Sequence, residues 1–247
     1  MDNNLTVQGL SDAFDVLLNS HSQKSLFGDS SSTVDINLDE YEKSVFLTKA
    51  QEEVIVNLYN GKNIYGDAFE STEEIRRYLD GLVKTKVYAA ADAETDTDLS
   101  PISDDSTAKI FELPSDIAFI TLEKVAYSGK SGKCSLDGYP ARVYPVTHDV
   151  YNMIKDNPFR GATKYKALRL DYGDNKVEII SKFPIKSYYI KYLSRPRPII
   201  LVDLTNENLE IEGESAMTEN LPLNPLLYNT ILQRAVALAI AARGKSS

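Results

Sequence analysis

The stretch SYYIKYLSRPRPIIL, from Ser187 to Leu201, places an alternating segment, a proline-restricted segment and an apolar run side by side. Its first half alternates in the manner of a half-buried β-strand. The Arg195-Pro196-Arg197-Pro198 segment then ends the strand, because proline lacks the backbone N–H of a paired strand and biases the preceding residue toward extended geometry. The stretch therefore predicts a strand over 185–193, followed by a stiff exit that holds two arginines in fixed directions.

The two faces of this strand differ in chemistry. Tyr188, Ile190 and Tyr192 alternate on one face, whereas Tyr189 and Lys191 lie on the other. Tyrosine and arginine are favoured in interface cores, because they combine broad contact with hydrogen bonding. Tyrosines interleaved with basic groups can also stack single-stranded nucleic acid. The overall acidity argues against that alternative, since phosphate binding depends on positive charge.

Charge is distributed unevenly along the 247 residues, whose formal net charge is -9. The segment Arg160–Arg197 carries 10 Lys and Arg against 3 Asp and Glu, whereas residues 1–159 carry 14 against 27. A basic segment in an acidic chain indicates surfaces of opposite sign, which steer association and set the register of an interface. A solvated strand surface is the alternative, since exposed basic strands are common.

Helical periodicity dominates the first third of the chain and its C-terminal end. Apolar residues recur at intervals of three and four over 7–18, 38–58 and 75–83, which predicts three helices. Asn224 and Pro225 favour the start of a last helix that is apolar on nearly all sides. A helix of that kind is buried on several sides.

Between these helices the hydrophobic period changes toward two, which predicts strands, including a last pair over 199–202 and 209–211. The order of helices, strands and helix is typical of an α+β fold. We expect an N-terminal helical bundle completed by a C-terminal helix, with an antiparallel β domain inserted between. The predicted divisions are a helical region over 1–90, an acidic loop over 91–107, the β domain over 108–215, and a C-terminal helix over 222–244 that packs on the helical region.

Motifs for catalysis, metal binding or cofactor binding are not found. Gly132-Lys133 lacks the spacing of a phosphate loop. Cys134 has no histidine near it in the sequence, although a dyad with His21 or His148 requires only spatial adjacency. No uninterrupted run approaches the roughly 18 apolar residues of a membrane helix. We therefore predict no catalytic residue, cofactor, metal or membrane partner, which favours a binding or structural protein.

Several stretches resemble structural proteins of crAss-like Bacteroides phages. They include DEYEKSVFLTKAQ at 39–51, KDNPFRG at 155–161, YLSRPRPIIL at 192–201 and ILQRAV at 231–236. The resemblance extends over most of the chain from about residue 37 onward. Within that group the chain is most similar to ring proteins of the head–tail connector, which are comparable to the adaptor or tail tubular proteins of short-tailed phages.

This resemblance implies a virion structural protein without enzymatic activity, assembled in the host cytoplasm. It implies a homo-oligomeric ring, a dodecamer, below the portal protein and beside other tail ring proteins, with genome DNA passing through the lumen unread. Acidic residues at the lumen would repel phosphate, while the basic strand would meet an acidic neighbour. The candidate interface residues are Tyr188, Tyr189, Lys191, Tyr192, Arg195 and Arg197. The C-terminal segments of such adaptors reach into the portal, which makes Leu238, Arg243 and Lys245 candidate portal contacts.

Two other functions remain open. One is a different virion component, either a tail-hub ring or a cargo protein ejected with the genome. The other is an enzyme of unfamiliar type that uses Cys134 or a carboxylate pair. A ring predicts heterologous self-interfaces that close, and an enzyme predicts a deep pocket with convergent polar groups.

Overall fold

A computed structural model describes residues 6–25, 38–62, 69, 72–94, 103, 107–131, 134–221 and 223–243. It combines helices with a seven-stranded, mostly antiparallel sheet, so the predicted α+β class is confirmed. The chain divides into two compact units. One consists of Met1–Leu82 with Arg195–Ser247, and we call it the helical unit; the other is Val83–Ser194, and we call it the β unit.

The helical unit contains four α-helices, α1 (Val7–Ser25), α2 (Glu40–Asn60), α3 (Glu73–Tyr78) and α5 (Tyr228–Arg243), in its described residues. The helix α4 (His148–Ile154) belongs to the β unit. A capping box starts α2, because Asp39 Oδ1 accepts a hydrogen bond from Glu42 N at 2.7 Å and the Glu42 side chain accepts one from Asp39 N. The helix ends at Gly61, whose φ of 73° is the left-handed conformation that glycine adopts readily. Both ends of α2 are therefore encoded locally.

A buried lysine joins α1 to α2. Lys43 is 3% exposed, and its Nζ lies 2.7 Å from Asp15 Oδ2 and 3.0 Å from Glu40 Oε1. Burial lowers the pKa of Lys43, but the two carboxylates outweigh this effect and the net shift is upward. The ammonium group therefore stays charged and holds the two helices together.

The C-terminal helix α5 packs against α2 and α1. Its buried apolar residues are Ile231, Leu232, Ala235, Val236 and Ala239. The window Pro225–Ala242 is long and apolar enough to span a membrane, but only by length and composition. Since the helix buries its apolar residues against two neighbouring helices, it behaves as a core helix of its unit.

The β unit is organised around a seven-stranded sheet. Its strands are β1 (Val83–Ala89), β2 (Lys109–Glu112), β3 (Ile117–Tyr127), β6 (Pro140–Pro145), β7 (Lys166–Gly173), β8 (Lys176–Ile180) and β9 (Ile185–Ser194), while β4 (Lys130–Ser131) and β5 (Cys134–Ser135) form a separate two-stranded sheet. The order in the large sheet is β1-β9-β3-β6-β7-β8-β2. The first strand is antiparallel to the last, with Val83 opposite Leu193.

One strand pair departs from the predicted antiparallel pattern. Strands β6 and β7 run parallel, with Arg142 opposite Lys166. A parallel pair needs a crossover connection and cannot be joined by a tight hairpin. The connection here contains α4, whose first turn is capped by Thr147 Oγ1 accepting a hydrogen bond from Val150 N. The prediction of a wholly antiparallel domain is therefore wrong at this pair.

Two other segments differ from their predicted elements. Val83 was expected in a helical stripe, but it begins β1, because pairing with β9 overrides the weak local periodicity. The segments 199–202 and 209–211 form no strand pair, and the structure has an isolated bridge between Ile211 and Glu214 in this region. The N–H groups of Ile199 and Leu201 donate instead to the side chains of Thr48 and Ser44 on α2.

Candidate functional site

Strand β9, which carries the candidate tyrosines, is paired on both edges, with β1 and with β3. Tyr188, Ile190 and Tyr192 are buried, Tyr189 is half-buried and Lys191 is exposed. The structure therefore has the two chemically different strand faces that the alternation predicts.

The buried face forms an aromatic cluster within the β unit. The ring of Tyr188 stacks on Tyr88 with centroids 5.6 Å apart, and it packs against Phe111 at 5.2 Å. The Tyr188 hydroxyl donates a hydrogen bond to Glu123 Oε1. Burial, with Glu123 nearby, raises the pKa of Tyr188 well above its usual range. Tyr188 is therefore a neutral core residue.

Glu123 and Arg169 form a buried ion pair beside this cluster. Arg169 Nη1 lies 2.8 Å from Glu123 Oε2, and the two side chains are 12% and 5% exposed. Arg169 Nε also lies 3.2 Å from Asp171 Oδ1. Burial lowers the pKa of Arg169, but the carboxylates of Glu123 and Asp171 outweigh it and raise that pKa. Glu123 thus accepts from Arg169 and Tyr188, and connects β3 to β7 and β9.

Tyr188 and Tyr192, two of the candidate interface residues, are therefore buried and are not available for contact with a neighbouring subunit. Tyr192 is 5% exposed, and its hydroxyl lies 3.3 Å from Asp116 Oδ1. Both rings occupy the core of their own unit, because they lie on the apolar face of a strand that is paired on both sides. Tyr189 and Lys191 lie on the opposite face, where Lys124 Nζ is 5.5 Å from the Tyr189 ring centre.

The exit from β9 is held by polar side chains of α2. Gln51 Nε2 donates to Arg197 O at 2.8 Å, Thr48 Oγ1 accepts from Ile199 N at 3.1 Å, and Ser44 Oγ accepts from Leu201 N at 3.0 Å. The three α2 residues recur at intervals of three and four, so they lie on one helix face. These side chains supply the hydrogen bonds that a neighbouring strand would supply in a sheet.

Thr218 binds the opposite edge of the same segment. Its Oγ1 donates to Pro198 O at 3.1 Å and accepts from Ile200 N at 2.8 Å, while its own N–H donates to Ile200 O at 2.9 Å. Odd-numbered residues of the exit therefore bond to α2 and even-numbered residues bond to Thr218. The backbone is fixed on both edges without belonging to a sheet.

The two arginines of the exit point outward. Arg195 and Arg197 are exposed, whereas Pro196 and Pro198 between and after them are buried. Arg197 lines a groove of about 310 Å³ together with Glu214 and Glu219, among other residues. Partial burial and the nearby Glu52 raise the pKa of Glu212, and Arg195 opposes this shift. Both guanidinium groups are therefore presented beside carboxylates on a fixed backbone.

The candidate portal contacts fall at the end of α5. Leu238 is half-buried in the helix, and Arg243 is its last residue. The side chain of Arg243 and all of Lys245 lie outside the described residues. Their predicted contact with the portal therefore stays a prediction.

A group of basic and aromatic residues was missed by the sequence reasoning. Lys164 Nζ lies 4.7 Å from the Tyr139 ring centre and 5.9 Å from that of Tyr165, and Lys166 Nζ lies 5.7 Å from that of Tyr144. The parallel pairing of β6 with β7 brings these residues together, and a linear pattern does not encode that pairing.

Candidate catalytic groups are not brought together in the part of the chain that the structure describes. No group of three or more His, Cys, Asp or Glu residues there could hold a metal ion. His148 Nε2 lies 3.2 Å from Asp171 O near the surface, and the Cys134 side chain and His21 side chain lie outside the described set.

Comparison with known proteins identifies clear relatives. A family model described as phage tail ring protein 3/4 matches residues 5–247. Ring protein 3 of Bacteroides phage crAss001 is 46% identical over 243 residues, which cover 97% of this chain and 96% of that protein. Ring protein 4/5 of the same phage is 31% identical over 246 residues, which cover 96% of this chain and 93% of that protein.

Proposed function

The chain belongs to the phage tail ring protein 3/4 family of crAss-like phages, and on that basis we propose that it forms a homo-oligomeric ring in the head–tail connector, below the portal. The family is one of virion structural proteins. The observation that carries the proposal is the near full-length similarity to two ring proteins of one phage. In this role the chain performs no catalysis and needs no cofactor.

The fixed exit from β9 supports an assembly role. Arg195 and Arg197 are exposed on a backbone that is hydrogen-bonded on both edges. Little conformational entropy of the backbone is therefore lost when a partner binds. Arginine in such a setting is a frequent anchor of protein interfaces. In our proposal these two residues, with Tyr189 and Lys191 of the β unit, lie at subunit–subunit or ring–ring interfaces.

The charge of the two units supports the conduit part of the proposal. Val83–Ser194 carries 16 Lys and Arg against 15 Asp and Glu, whereas the remaining residues carry 11 against 21. An acidic lumen repels phosphate, so DNA passes without being held. In our proposal some carboxylates of the acidic helical unit face the lumen, and Leu238, Arg243 and Lys245 contact the portal.

Mass measurement of the purified protein tests whether it forms a ring, and addition of portal protein tests whether that ring binds the portal. Mass photometry over a concentration series should show a single closed species of twelve copies, and negative-stain images should show rings. Portal rings should bind this species in a stable complex. A protein that stays monomeric alone and with portal would contradict the proposal.

Other virion roles give different outcomes in the same assay. A tail-hub ring would form closed rings that ignore portal. An ejected cargo protein would form no ring and bind no portal. The double variant Arg195→Glu/Arg197→Glu should weaken either self-assembly or portal binding, and no change in both would remove these residues from the proposed interface.

A further inference from the structure

The turn after α4 is a fixed element of the β unit. Asn157 Oδ1 accepts hydrogen bonds from Phe159 N at 2.9 Å and from Arg160 N at 3.2 Å, and Gly161 N donates to Asn157 O at 2.8 Å. Lys166 Nζ donates to Arg160 O at 2.5 Å. A Cβ on Gly161 would lie 3.0 Å from Asn157 O, so the close packing of the turn requires glycine.

This fixed turn presents a large apolar side chain to solvent. Phe159 is 90% exposed, and Met153 at the end of α4 is 75% exposed. A phenylalanine side chain left in solvent lacks the stabilisation that its burial would provide. Because the hydrogen bonds of the turn fix the backbone at Phe159, the position at which the ring is presented is also fixed. An aromatic side chain that is exposed on a fixed backbone is a candidate anchor for an interface.

The residues that flank this turn along the chain are mostly basic and aromatic, and Lys166 contacts the turn through Arg160 O. The segment 142–166 contains Arg142, Lys155, Arg160, Lys164 and Lys166, against Asp149 and Asp156. Tyr165 is 66% exposed and Tyr144 is 45% exposed, each with a lysine ammonium over its ring. We call Phe159, Arg160, Lys164, Tyr165 and Lys166 the aromatic–basic surface.

A surface of complementary character exists on the helical unit. The segment Asp203–Glu219 contains six carboxylates, all on exposed residues, and no Lys or Arg. Its end forms one wall of a pocket of about 510 Å³, whose apolar lining includes Val7, Met217, Leu221, Leu223 and Tyr228. Pockets of this size accept an aromatic ring. Glu219 lies at the same pocket.

We propose that the aromatic–basic surface of one copy docks on the acidic segment of a second copy of this chain. Phe159 enters the pocket lined by Met217, and Arg160 and Lys164 face Glu214 and Glu219. The match is twofold, because an apolar anchor with a basic rim meets an apolar pocket with an acidic rim. The contact joins two different surfaces, so it is heterologous and can propagate to a closed ring. This inference rests on the proposed ring function.

Three variants test the contact by mass photometry over a concentration series. Phe159→Ala should raise the midpoint concentration for assembly at least about tenfold, which corresponds to the loss of about 1.4 kcal/mol of contact energy when an interface anchor is truncated. Arg160→Glu/Lys164→Glu and Glu214→Lys/Glu219→Lys should each abolish rings. The control Lys130→Glu/Lys182→Glu changes the charge by the same amount at exposed lysines outside the aromatic–basic surface, and should assemble as wild type.

A mixing experiment separates this contact from general charge effects. In a head-to-tail contact, the basic-surface variant keeps its acidic segment and the acidic-segment variant keeps its basic surface. In an equimolar mixture every contact between unlike variants pairs opposite charges, either the native pair or the pair with both signs reversed. Mixed rings in which the two variants alternate should therefore form, although neither variant forms rings alone. A single chain that carries both pairs of reversals restores opposite signs and should recover rings.

The outcomes distinguish this inference from the function on which it rests. If all three variants form rings as the wild-type protein does, the docking contact is wrong and the ring function stands. A wild-type protein that remains monomeric, alone and with portal, would overturn both. If the wild type binds single-stranded DNA and Arg160→Glu/Lys164→Glu abolishes only that binding, the surface is a nucleic-acid site and the proposal is wrong.

Discussion

Replacement of Glu123 by alanine should destabilise the β unit more than the removal of any exposed ion pair does. The variant leaves the Arg169 guanidinium, 12% exposed, without its closest carboxylate, and leaves the buried Tyr188 hydroxyl without its acceptor. Breaking a buried pair on one side costs about 3–5 kcal/mol. Arg169 keeps Asp171 at 3.2 Å, so we expect the lower end, about 3 kcal/mol.

Near-UV circular dichroism can follow this change, because ten of the fifteen tyrosines lie in Val83–Ser194 and the chain has no tryptophan. For a unit of this size 1 kcal/mol shifts the melting temperature by roughly 4 °C, so we expect a decrease of about 12 °C. The control Lys186→Ala removes an exposed pair with Asp137 and should cost less than about 1 kcal/mol.

A double variant examines the cause of the loss. Glu123→Leu/Arg169→Met removes both charges and should be more stable than Glu123→Ala, because no unpaired charge remains buried. Equal melting temperatures for Glu123→Ala and Lys186→Ala would refute the account of the network. A double variant that is less stable than Glu123→Ala would refute the assignment of the loss to the unpaired guanidinium.

Two further predictions concern the exit from β9 and the buried tyrosines. Thr48→Val leaves Ile199 N without its acceptor and should lower the free energy of unfolding, measured by urea titration, by about 1–3 kcal/mol. The control Thr121→Val removes only a hydrogen bond to the partly exposed Lys191 O and should lower that free energy less. Equal effects of the two variants would contradict the role given to α2. Burial raises the pKa of Tyr127 to about 12, and those of Tyr88 and Tyr188 also rise, so the folded state holds these protons more tightly than the unfolded state. For Tyr127 the stabilising effect is complete below the unfolded pKa of about 10 and is lost as the pH rises through the folded pKa of about 12. Absorbance at 295 nm should therefore show late-titrating tyrosines that ionise together with loss of circular dichroism, and a single titration near pH 10 with the fold intact would contradict this.

Much of the strand and helix pattern could be predicted from the sequence, because it is encoded locally. The capping box at Asp39, the left-handed Gly61, the cap at Thr147 and the alternation of β9 all act within a few residues. The fixed exit at Arg195–Pro198 was predicted on the same basis, since proline restricts its own residue and the one before it.

The candidate site was predicted less completely, because its burial depends on distant partners. The alternation of β9 gives two faces but does not reveal that Tyr188 and Tyr192 occupy the buried one as core residues. Glu123 and Arg169 are 46 residues apart, and they meet only once β3 and β7 occupy one sheet. The solvent exposure of Phe159, which is the basis of the proposed contact, is likewise not predicted by the local pattern.

The pairing of Val83 with Leu193 has a consequence for how the chain folds. The helical unit is interrupted by 112 residues, and closing an unfolded loop of that length costs about 4 kcal/mol of chain entropy. Once β1 has paired with β9, the two ends of the insertion are neighbours about 5 Å apart. The β unit then acts as a short bridge between Leu82 and Arg195. Its prior folding removes most of the entropic barrier to docking the exit segment on α2, so the middle of the chain should become ordered before its two ends can join.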